Sequence, residues 1–151
     1  MSNIEREIRQ TSPFRNPHHR AIVNLMFMSS WIQNQIRDFL KPYRLTPQQY
    51  NVLRILRGAG GPISTYDIRE RLLDKNSDAS RLVDRMGKLG LTEKSVSEQD
   101  RRRVDVTITA RGLLILDHIE AHIDRMDQIV AALDAEEATQ LSDLLDRVRR
   151  E

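Results

Sequence analysis

The segment that decides the fold is SDASRLVDRMGKLGLTEKSVSEQDRRRVDVTITARG, residues 77–112. Its first part, from about Ser77 to Leu89, places apolar residues at helical spacing, and Gly90 suits the end of a helix. Two short runs, 91–96 and 104–108, follow, and the second alternates apolar and polar residues as a half-buried strand does. The segment therefore predicts a helix followed by a two-stranded ribbon with an arginine-rich turn.

The residues before this segment predict a partner for its helix. Ser64 and Asp67 are spaced as a helix cap, and they predict a short helix that runs to about Leu73. A turn rich in capping side chains, 74–77, separates it from the helix of the opening segment. Two short helices joined by a tight turn form a helix-turn-helix over residues 64–89, and the ribbon that follows makes the arrangement a winged helix.

Longer helices flank this unit. Asn16-Pro17 predicts the start of a first long helix that Pro42 ends, and residues 1–15 are predicted to be a loose arm. Thr46-Pro47-Gln48-Gln49 predicts a capped second helix that closes at Gly58. Thr109 is predicted to cap one long helix with an apolar seam from Leu116 to Leu133, and Asp134-Ala135-Glu136-Glu137 to cap the last helix. The predicted fold class is mainly α with a small two- to three-stranded β wing.

Composition excludes several classes of protein. The chain has 151 residues, 39% of them hydrophobic and 30% charged, which fits one globular domain. It contains no cysteine, so disulfides, thiol nucleophiles and thiolate metal sites are excluded. No apolar run approaches the roughly 20 residues of a membrane span, and the N-terminus is too charged for a secretory signal. We therefore expect no membrane partner and a cytoplasmic location.

Charge is distributed unevenly, although the net charge is only +2. Residues 75–111 contain nine Lys or Arg against six Asp or Glu, whereas residues 124–151 contain four against eight. Basic charge therefore collects where the helix-turn-helix and the ribbon fall, which is typical of a module that binds double-stranded DNA. An ordinary solvated helix with alternating charge is the other interpretation of this helix when it is taken alone.

Candidate DNA-binding residues lie at the start of the second short helix. A recognition helix presents its N-terminal residues to base edges, and Arg81 is suited to bind guanine through two hydrogen bonds. Asp78 could accept a hydrogen bond from cytosine or order a neighbouring arginine. The remaining candidates on this helix and its turn suit phosphates or base edges: Lys75, Asn76, Ser77, Ser80 and Arg85.

The same segment resembles the recognition helix and wing of the MarR (multiple antibiotic resistance regulator) family of transcription factors. The resemblance is carried by the SRLVDRM run at 80–86, the DRR run at 100–102 and the TIT run at 107–109 before Gly112. It implies a winged-helix homodimer that binds a pseudo-palindromic operator. Residues 1–151 would form one domain, with 46–109 as the DNA-binding lobe and 16–41 and 110–151 as dimerisation helices. Packing within one chain is the other explanation of their apolar seams.

The resemblance also assigns roles in the wing. Arg101 and Arg102 would contact DNA, with Arg102 entering the minor groove, and Asp100 would hold the wing arginines in place. Arg103 departs from the common family pattern, which has a glycine or an apolar residue there. Two hypotheses stay open: Arg103 makes an additional DNA contact, or it pairs with Glu98.

Other candidate sites are weaker. Met26, Phe27 and Trp31 form a cluster that could line a pocket for a small aromatic effector, or belong to a dimer core. His118 and His122 share a helix face but lack a third ligand, so we predict no metal site and no cofactor. No catalytic triad, carboxylate pair or phosphate-binding loop is evident, so we predict that the chain is not an enzyme.

The sequence thus favours a sequence-specific DNA-binding transcriptional regulator, a homodimeric repressor that a small aromatic ligand would relieve. The alternative is a dimeric helical adaptor that binds other proteins and has no specific DNA site.

Overall fold

The computed structural model describes residues 3–150 and confirms a mainly helical chain with a small antiparallel sheet. The helices are α1 (Ile4–Glu7), α2 (Pro17–Leu40), α3 (Pro47–Ala59), α4 (Thr65–Arg71), α5 (Ala79–Lys88), α6 (Ala110–Glu120), α7 (Asp124–Asp127) and α8 (Ala135–Val148). The strands are β1 (Ile63–Ser64), β2 (Thr92–Val96) and β3 (Val104–Ile108). Short 3₁₀ turns follow α2 at Lys41–Tyr43 and α7 at Gln128–Val130.

The predicted helix caps are present. Thr46 Oγ1 accepts the backbone N–H of Gln49 at 3.1 Å, while the Gln49 side chain accepts the N–H of Thr46 at 3.0 Å. Thr109 Oγ1 accepts the N–H of Gly112 at 3.1 Å, and Asp134 Oδ1 accepts the N–H of Glu137 at 2.8 Å. Each bond satisfies a backbone donor that the first helical turn leaves free, so these caps set where α3, α6 and α8 begin.

Helix α3 extends beyond the predicted stop at Gly58. Gly58 lies inside the helix, and Gly60 ends it with φ at +68°. Glycine adopts this left-handed conformation without the clash that a Cβ would cause, so Gly60, and not the predicted Gly58, ends the helix.

The single long helix predicted after Thr109 is interrupted. Helix α6 ends at Glu120, and i→i+3 hydrogen bonds at His122 and Ile123 wind the next turn more tightly before α7 begins. The backbone stays right-handed, so a tighter turn separates α6 from α7. The prediction of one uninterrupted helix was wrong.

The predicted loose N-terminal arm contains a short helix. Asn3 caps α1 by accepting the N–H of Glu5 at 3.1 Å, Ile4 is buried, and Arg20 Nε lies 2.7 Å from Glu5 Oε1. These contacts fix α1 to the start of α2. Residues 1 and 2 of the predicted arm lie outside the described residues.

The sheet joins the helix-turn-helix to the wing. Its strand order is β1-β3-β2, with all pairs antiparallel. Ile63 pairs with Val106, and β2 pairs with β3 from Thr92 opposite Ile108 to Val96 opposite Val104. Because β1 is only two residues long, its conformation depends on pairing with β3. The wing is therefore hydrogen-bonded to the residues that lead into α4.

The core lies under the helix-turn-helix. The fully buried side chains come from α2 to α6 and from β3: Leu40, Val52, Leu53, Ile68, Val83, Met86, Val106, Leu116 and Ile119. In contrast, α8 has no buried residue, and α2 exposes apolar side chains along its first half. No helix within residues 3–150 is long and apolar enough to cross a membrane.

Candidate nucleic-acid interface

The N-terminal end of α5 is held by Asp78. Its Oδ1 accepts the backbone N–H of Arg81 at 3.1 Å, and its Oδ2 lies 3.4 Å from Arg81 Nε. The carboxylate therefore caps the helix and orients the arginine. The contact with Arg81 is one of the two roles predicted for Asp78, and the other, a hydrogen bond from cytosine, stays a prediction.

Arg81 extends into solvent at this end of the helix, with 82% of its side chain accessible. Ser80 and Arg85 are also exposed on the outward side of α5, while Ala79, Val83 and Met86 are buried on the other. Helix α5 thus presents a polar face on a fixed apolar support, as a recognition helix must.

The turn before α5 is ordered by Asp74. Its side chain accepts the backbone N–H of Asn76 and the hydroxyl of Ser77, both at 3.0 Å. These two bonds, in that order, lower the pKa of Asp74, since they stabilise the charged carboxylate. The Lys75 ammonium donates to the backbone carbonyl of Glu70. The turn residues are therefore held in place at the surface before any ligand arrives.

Two clefts flank the start of α5 and contain polar residues that the sequence had not singled out. One, of about 350 Å³, joins Gln48 of α3 to Arg81 and Arg85. The other, of about 390 Å³, joins Tyr66 and Arg69 of α4 to the first residues of α5. The Arg69 guanidinium lies 5.1 Å from the centroid of the exposed Tyr66 ring. The only indication of this cleft in the sequence was an aromatic residue, Tyr66, two positions after the helix cap Ser64.

The wing turn is shaped by Asp100 in an unexpected way. Asp100 Oδ1 accepts the backbone N–H of Arg102 at 2.9 Å, and its carbonyl oxygen accepts the N–H of Arg103 at 2.8 Å. Among residues 3–150 its carboxylate makes no ion pair with a wing arginine. Asp100 therefore orders the turn through the backbone, not through a guanidinium as expected, because a short carboxylate reaches the N–H two residues ahead.

The wing and α5 form one surface. Lys94 of β2 pairs with Asp84 of α5, and Thr92 Oγ1 donates to the Val83 carbonyl at 3.4 Å. Arg101, Arg102 and Arg103 are all exposed at the end of the ribbon. Guanidinium groups therefore stand at two places on one rigid support, the start of α5 and the wing.

The chain is similar to known proteins over this surface. A model of the MarR family matches residues 45–103, which run from just before α3 to the end of the wing turn. The HTH-type transcriptional regulator PecS of Dickeya dadantii is 27% identical over 99% of this chain and 93% of that protein. The chain is therefore similar to the MarR family over its helix-turn-helix and wing.

Solved structures agree in fold. A mutant MarR from E. coli, complexed with operator DNA, matches with a TM-score of 0.76 at 23% identity, over 99% of this chain and 100% of that one. The PcaV transcriptional regulator of Streptomyces coelicolor, in complex with its natural ligand, matches with a TM-score of 0.67 at 27% identity, over 89% and 92% of the two chains. The MarR winged-helix architecture thus extends through the terminal helices.

Arg103, where this chain departs from the common MarR pattern, does not pair with Glu98. Within the described residues no ion pair of 4.0 Å or less joins them. Both side chains instead line a cleft between the wing and the start of α4, together with Asp67 and Asp105.

The candidate effector residues of this chain are only partly brought together. Phe27 and Trp31 are four residues apart on α2 and share a face, whereas Met26 lies about 100° around the helix from Phe27. Met26 is 69% exposed, and Trp31 is 37% exposed.

Within residues 3–150, no group of three His, Cys, Asp or Glu side chains lies close enough together to hold a metal ion. His118 and His122 therefore have no third ligand among these residues.

Proposed function

We propose that this chain is a homodimeric transcriptional regulator that represses by binding a pseudo-palindromic operator in double-stranded DNA. The observation that carries the proposal is the preorganised start of α5, where Asp78 both caps the helix and orients an exposed Arg81, beside a wing with three arginines. The operator complex of the similar E. coli MarR supports the same mode of binding. The similarity to the MarR family model and to the regulator PecS favours this regulator over a protein-binding adaptor.

Each residue of the proposed interface has a part in this binding. Arg81 would read a base edge in the major groove, and Arg85, Ser80 and the turn residues Lys75, Asn76 and Ser77 would contact phosphates or neighbouring bases. Arg101 and Arg102 would reach the minor groove and its phosphates from the wing. A protein that binds operator DNA acts where the chromosome is, so the proposal places this chain in the cytoplasm.

The proposed dimer uses the terminal helices. Leu141, Leu144 and Val148 lie on one face of α8 and are exposed in the single chain, as are Ile22, Leu25 and Met28 of α2. Contiguous apolar faces on soluble proteins are usually covered by another surface. A second copy would cover them by symmetry and would place two α5 helices about one turn of DNA apart. Residues 16–41 and 110–151 are therefore the proposed dimerisation part, and 46–109 the DNA-binding lobe.

The test is selection of bound duplexes from a random pool, followed by titration of the selected site. We expect a palindrome, and an affinity that falls steeply with salt as phosphate contacts release counterions. Equal affinity for a scrambled duplex would rule out the specific regulator and leave the adaptor.

Substitution of Arg81 tests the assignment of the base reader. Arg81→Ala should remove about 1–3 kcal/mol of preference at one base pair of each half-site. Arg81→Lys is the matched control, because it keeps the charge but loses the two-pronged geometry of the guanidinium. It should therefore relax the same base preference while weakening total binding less. Uniform loss on all sequences in both variants would show that Arg81 contacts phosphate.

The proposal includes a small aromatic effector that releases the DNA. Its support is the Phe27–Trp31 face of α2, where Phe27 is half-buried and Trp31 exposed, and the similar regulator RdhR-CbdbA1625, whose structure is the 2,4-dichlorophenol bound form. Such a ligand must bind the form with misspaced α5 helices more tightly. Trp31 is the only tryptophan, so its fluorescence reports this site directly. We expect a phenol or aromatic acid to shift Trp31 emission and weaken operator binding together; a panel that changes neither would remove the effector from the proposal.

A further inference from the structure

Arg103 is placed differently from the two arginines before it. Arg101 and Arg102 occupy the turn, whereas the backbone of Arg103 is bonded on both sides: its N–H donates to the Asp100 carbonyl at 2.8 Å, and its carbonyl accepts the N–H of Ser97 at 2.9 Å. The second bond continues the β2–β3 ladder one step beyond the Val96–Val104 pair. Arg103 is therefore part of the root of the wing and not of its tip.

The strand alternation puts Arg103 on a polar face of the sheet. Residues two apart on a strand share a face, so Arg103 lies on the side of Asp105. Asp105 is directly opposite Ser64 of β1 and Ser95 of β2. This face borders an open cleft of about 490 Å³ between the wing and the start of α4.

The cleft is lined by one cation and three carboxylates. Arg103 faces the same space as Asp67, Glu98 and Asp105. Within residues 3–150 it makes no ion pair of 4.0 Å or less with any of them, so its attraction acts across the cleft. If the guanidinium left to bind DNA, the three carboxylates would face this space with no other cation lining it.

Asp67 is the fixed member of this group. The Ser64 hydroxyl donates to Asp67 Oδ2 at 2.6 Å, and the Asp67 N–H donates to Ser64 Oγ at 3.1 Å. The Ser64 hydrogen bond is the largest cause of a lowered pKa at Asp67, and the charges of Arg103 and Arg71 lower it further. Asp67 is therefore an ionised group anchored in the first turn of α4, and it lines the same cleft as Arg103.

We propose that Arg103 is a positioning residue that holds the root of the wing toward the first turn of α4 through Asp67, and that it is not a phosphate contact. The angle between the wing and the helix-turn-helix decides whether Arg101 and Arg102 reach DNA while α5 lies in its groove. The DNA-binding consequence rests on the proposed function, whereas the effect on the wing itself does not.

The first test compares salt dependence. A lost phosphate contact lowers the slope of log K against log salt by about 0.9 per site. Arg103→Gln should weaken operator binding roughly tenfold with the wild-type slope retained, whereas Arg101→Gln, the control at the tip, should lower the slope. Arg103→Lys, which keeps the charge, should restore much of the affinity.

Asp67→Asn gives the sharpest prediction, because the expected change in operator affinity is opposite to the one that the charge alone would cause. Removing a negative charge near DNA strengthens binding when the charge acts only through the long-range field. If Asp67 positions the wing through Arg103, Asp67→Asn should instead weaken binding, and the double variant should be no weaker than the weaker single variant. Stronger binding by Asp67→Asn would overturn the proposal.

The second test needs no DNA. In the free protein, Arg103→Gln should speed hydrogen exchange at the Ser97 amide several-fold by loosening the wing root, and Arg101→Gln should leave it at the wild-type rate. Unchanged exchange in Arg103→Gln, or a fall in its salt slope, would overturn the positioning role. If the wild-type chain binds no duplex, the proposed function fails, and the exchange experiment still decides the role of Arg103.

Discussion

The DNA-facing lobe and the terminal helices differ in how far one chain completes them. In the lobe, Leu53, Val83 and Val106 are fully buried, and each helix end is capped within the chain. In α8, by contrast, Leu144 is 52% exposed and Val148 71%, although the helix has its own capping box. Local rules form both kinds of helix, but the core of the lobe, which also contains Leu40 of α2 and Leu116 of α6, buries its apolar side chains within one chain, whereas α8 and the first half of α2 leave theirs exposed. In the proposed dimer, these exposed faces depend on the partner.

The strongest test of this difference is a charge on the apolar face of α8. Leu144→Glu would place a carboxylate in the proposed dimer interface, where burial without a partner costs several kcal/mol. We expect the dimer dissociation constant to rise on the order of 100-fold, equivalent to about 3 kcal/mol, as measured by analytical ultracentrifugation. Ser142→Glu adds the same charge to the opposite face and should leave the dimer intact.

The same variant shows whether the lobe is self-sufficient. Amide exchange in α5 and β3 should stay protected in monomeric Leu144→Glu, because the core there lies within one chain. A dimer that survives would remove α8 from the interface. General loss of protection would show that the lobe, too, depends on the second copy.

Two glycines provide a smaller and sharper test inside the lobe. A Cβ on Gly112 would lie 2.7 Å from both the Leu91 carbonyl oxygen and Ile108 Cγ1, whereas a Cβ on Gly58 would meet nothing within 4 Å. Gly112→Ala should therefore lower the free energy of unfolding by about 1–3 kcal/mol, despite alanine's better helix propensity. Gly58→Ala should raise it by roughly 0.5–1 kcal/mol.

Urea unfolding measures both glycine changes against the wild type. Destabilisation by Gly58→Ala would mean that Gly58, and not Gly60, ends α3. A neutral Gly112→Ala would show that α6 can move away from the sheet, so that the lobe is packed less tightly than its buried residues indicate.

Much of the lobe could be predicted because its signals are local. Thr46, Ser64 and Thr109 cap helices where spacing alone placed them, and the alternation from Val104 to Ile108 is the observed β3. Caps and periodicity involve residues within four positions of each other, so one sequence is enough to find them.

The features that the sequence did not reveal depend on contacts between distant segments. Strand β1 exists because Ile63 and Ser64 meet β3, and nothing within two residues could indicate a strand. The surroundings of Arg103 come from three separate segments, so sequence reasoning considered the nearby Glu98 and not the distant Asp67. Asp78 shows the opposite case, since its cap on α5 and its contact with Arg81, one of the two roles predicted for it, both involve residues within three positions.

The ion pair that joins the DNA-facing lobe to the terminal helices should have the smallest effect on the free energy of unfolding, and this effect should depend on pH. The Arg57 guanidinium of α3 donates to the Glu120 carboxylate at the end of α6, and this hydrogen bond, with the charges of Arg57 and Arg54, lowers the pKa of Glu120. A carboxyl group whose pKa is lowered by folding stabilises the folded protein at pH values above its ordinary pKa, here 4.5. This contribution is lost as the pH falls through the lowered pKa.

Glu120→Gln should therefore destabilise the protein slightly near neutral pH, by less than Gly112→Ala, and the difference from wild type should vanish in acid. Asp127→Asn, which lacks an ion-pair partner within residues 3–150, is the control and should show no such trend. If urea unfolding gave the same difference for Glu120→Gln at every pH, the pair would not join the lobe to the terminal helices, and packing alone would hold α6 against α3.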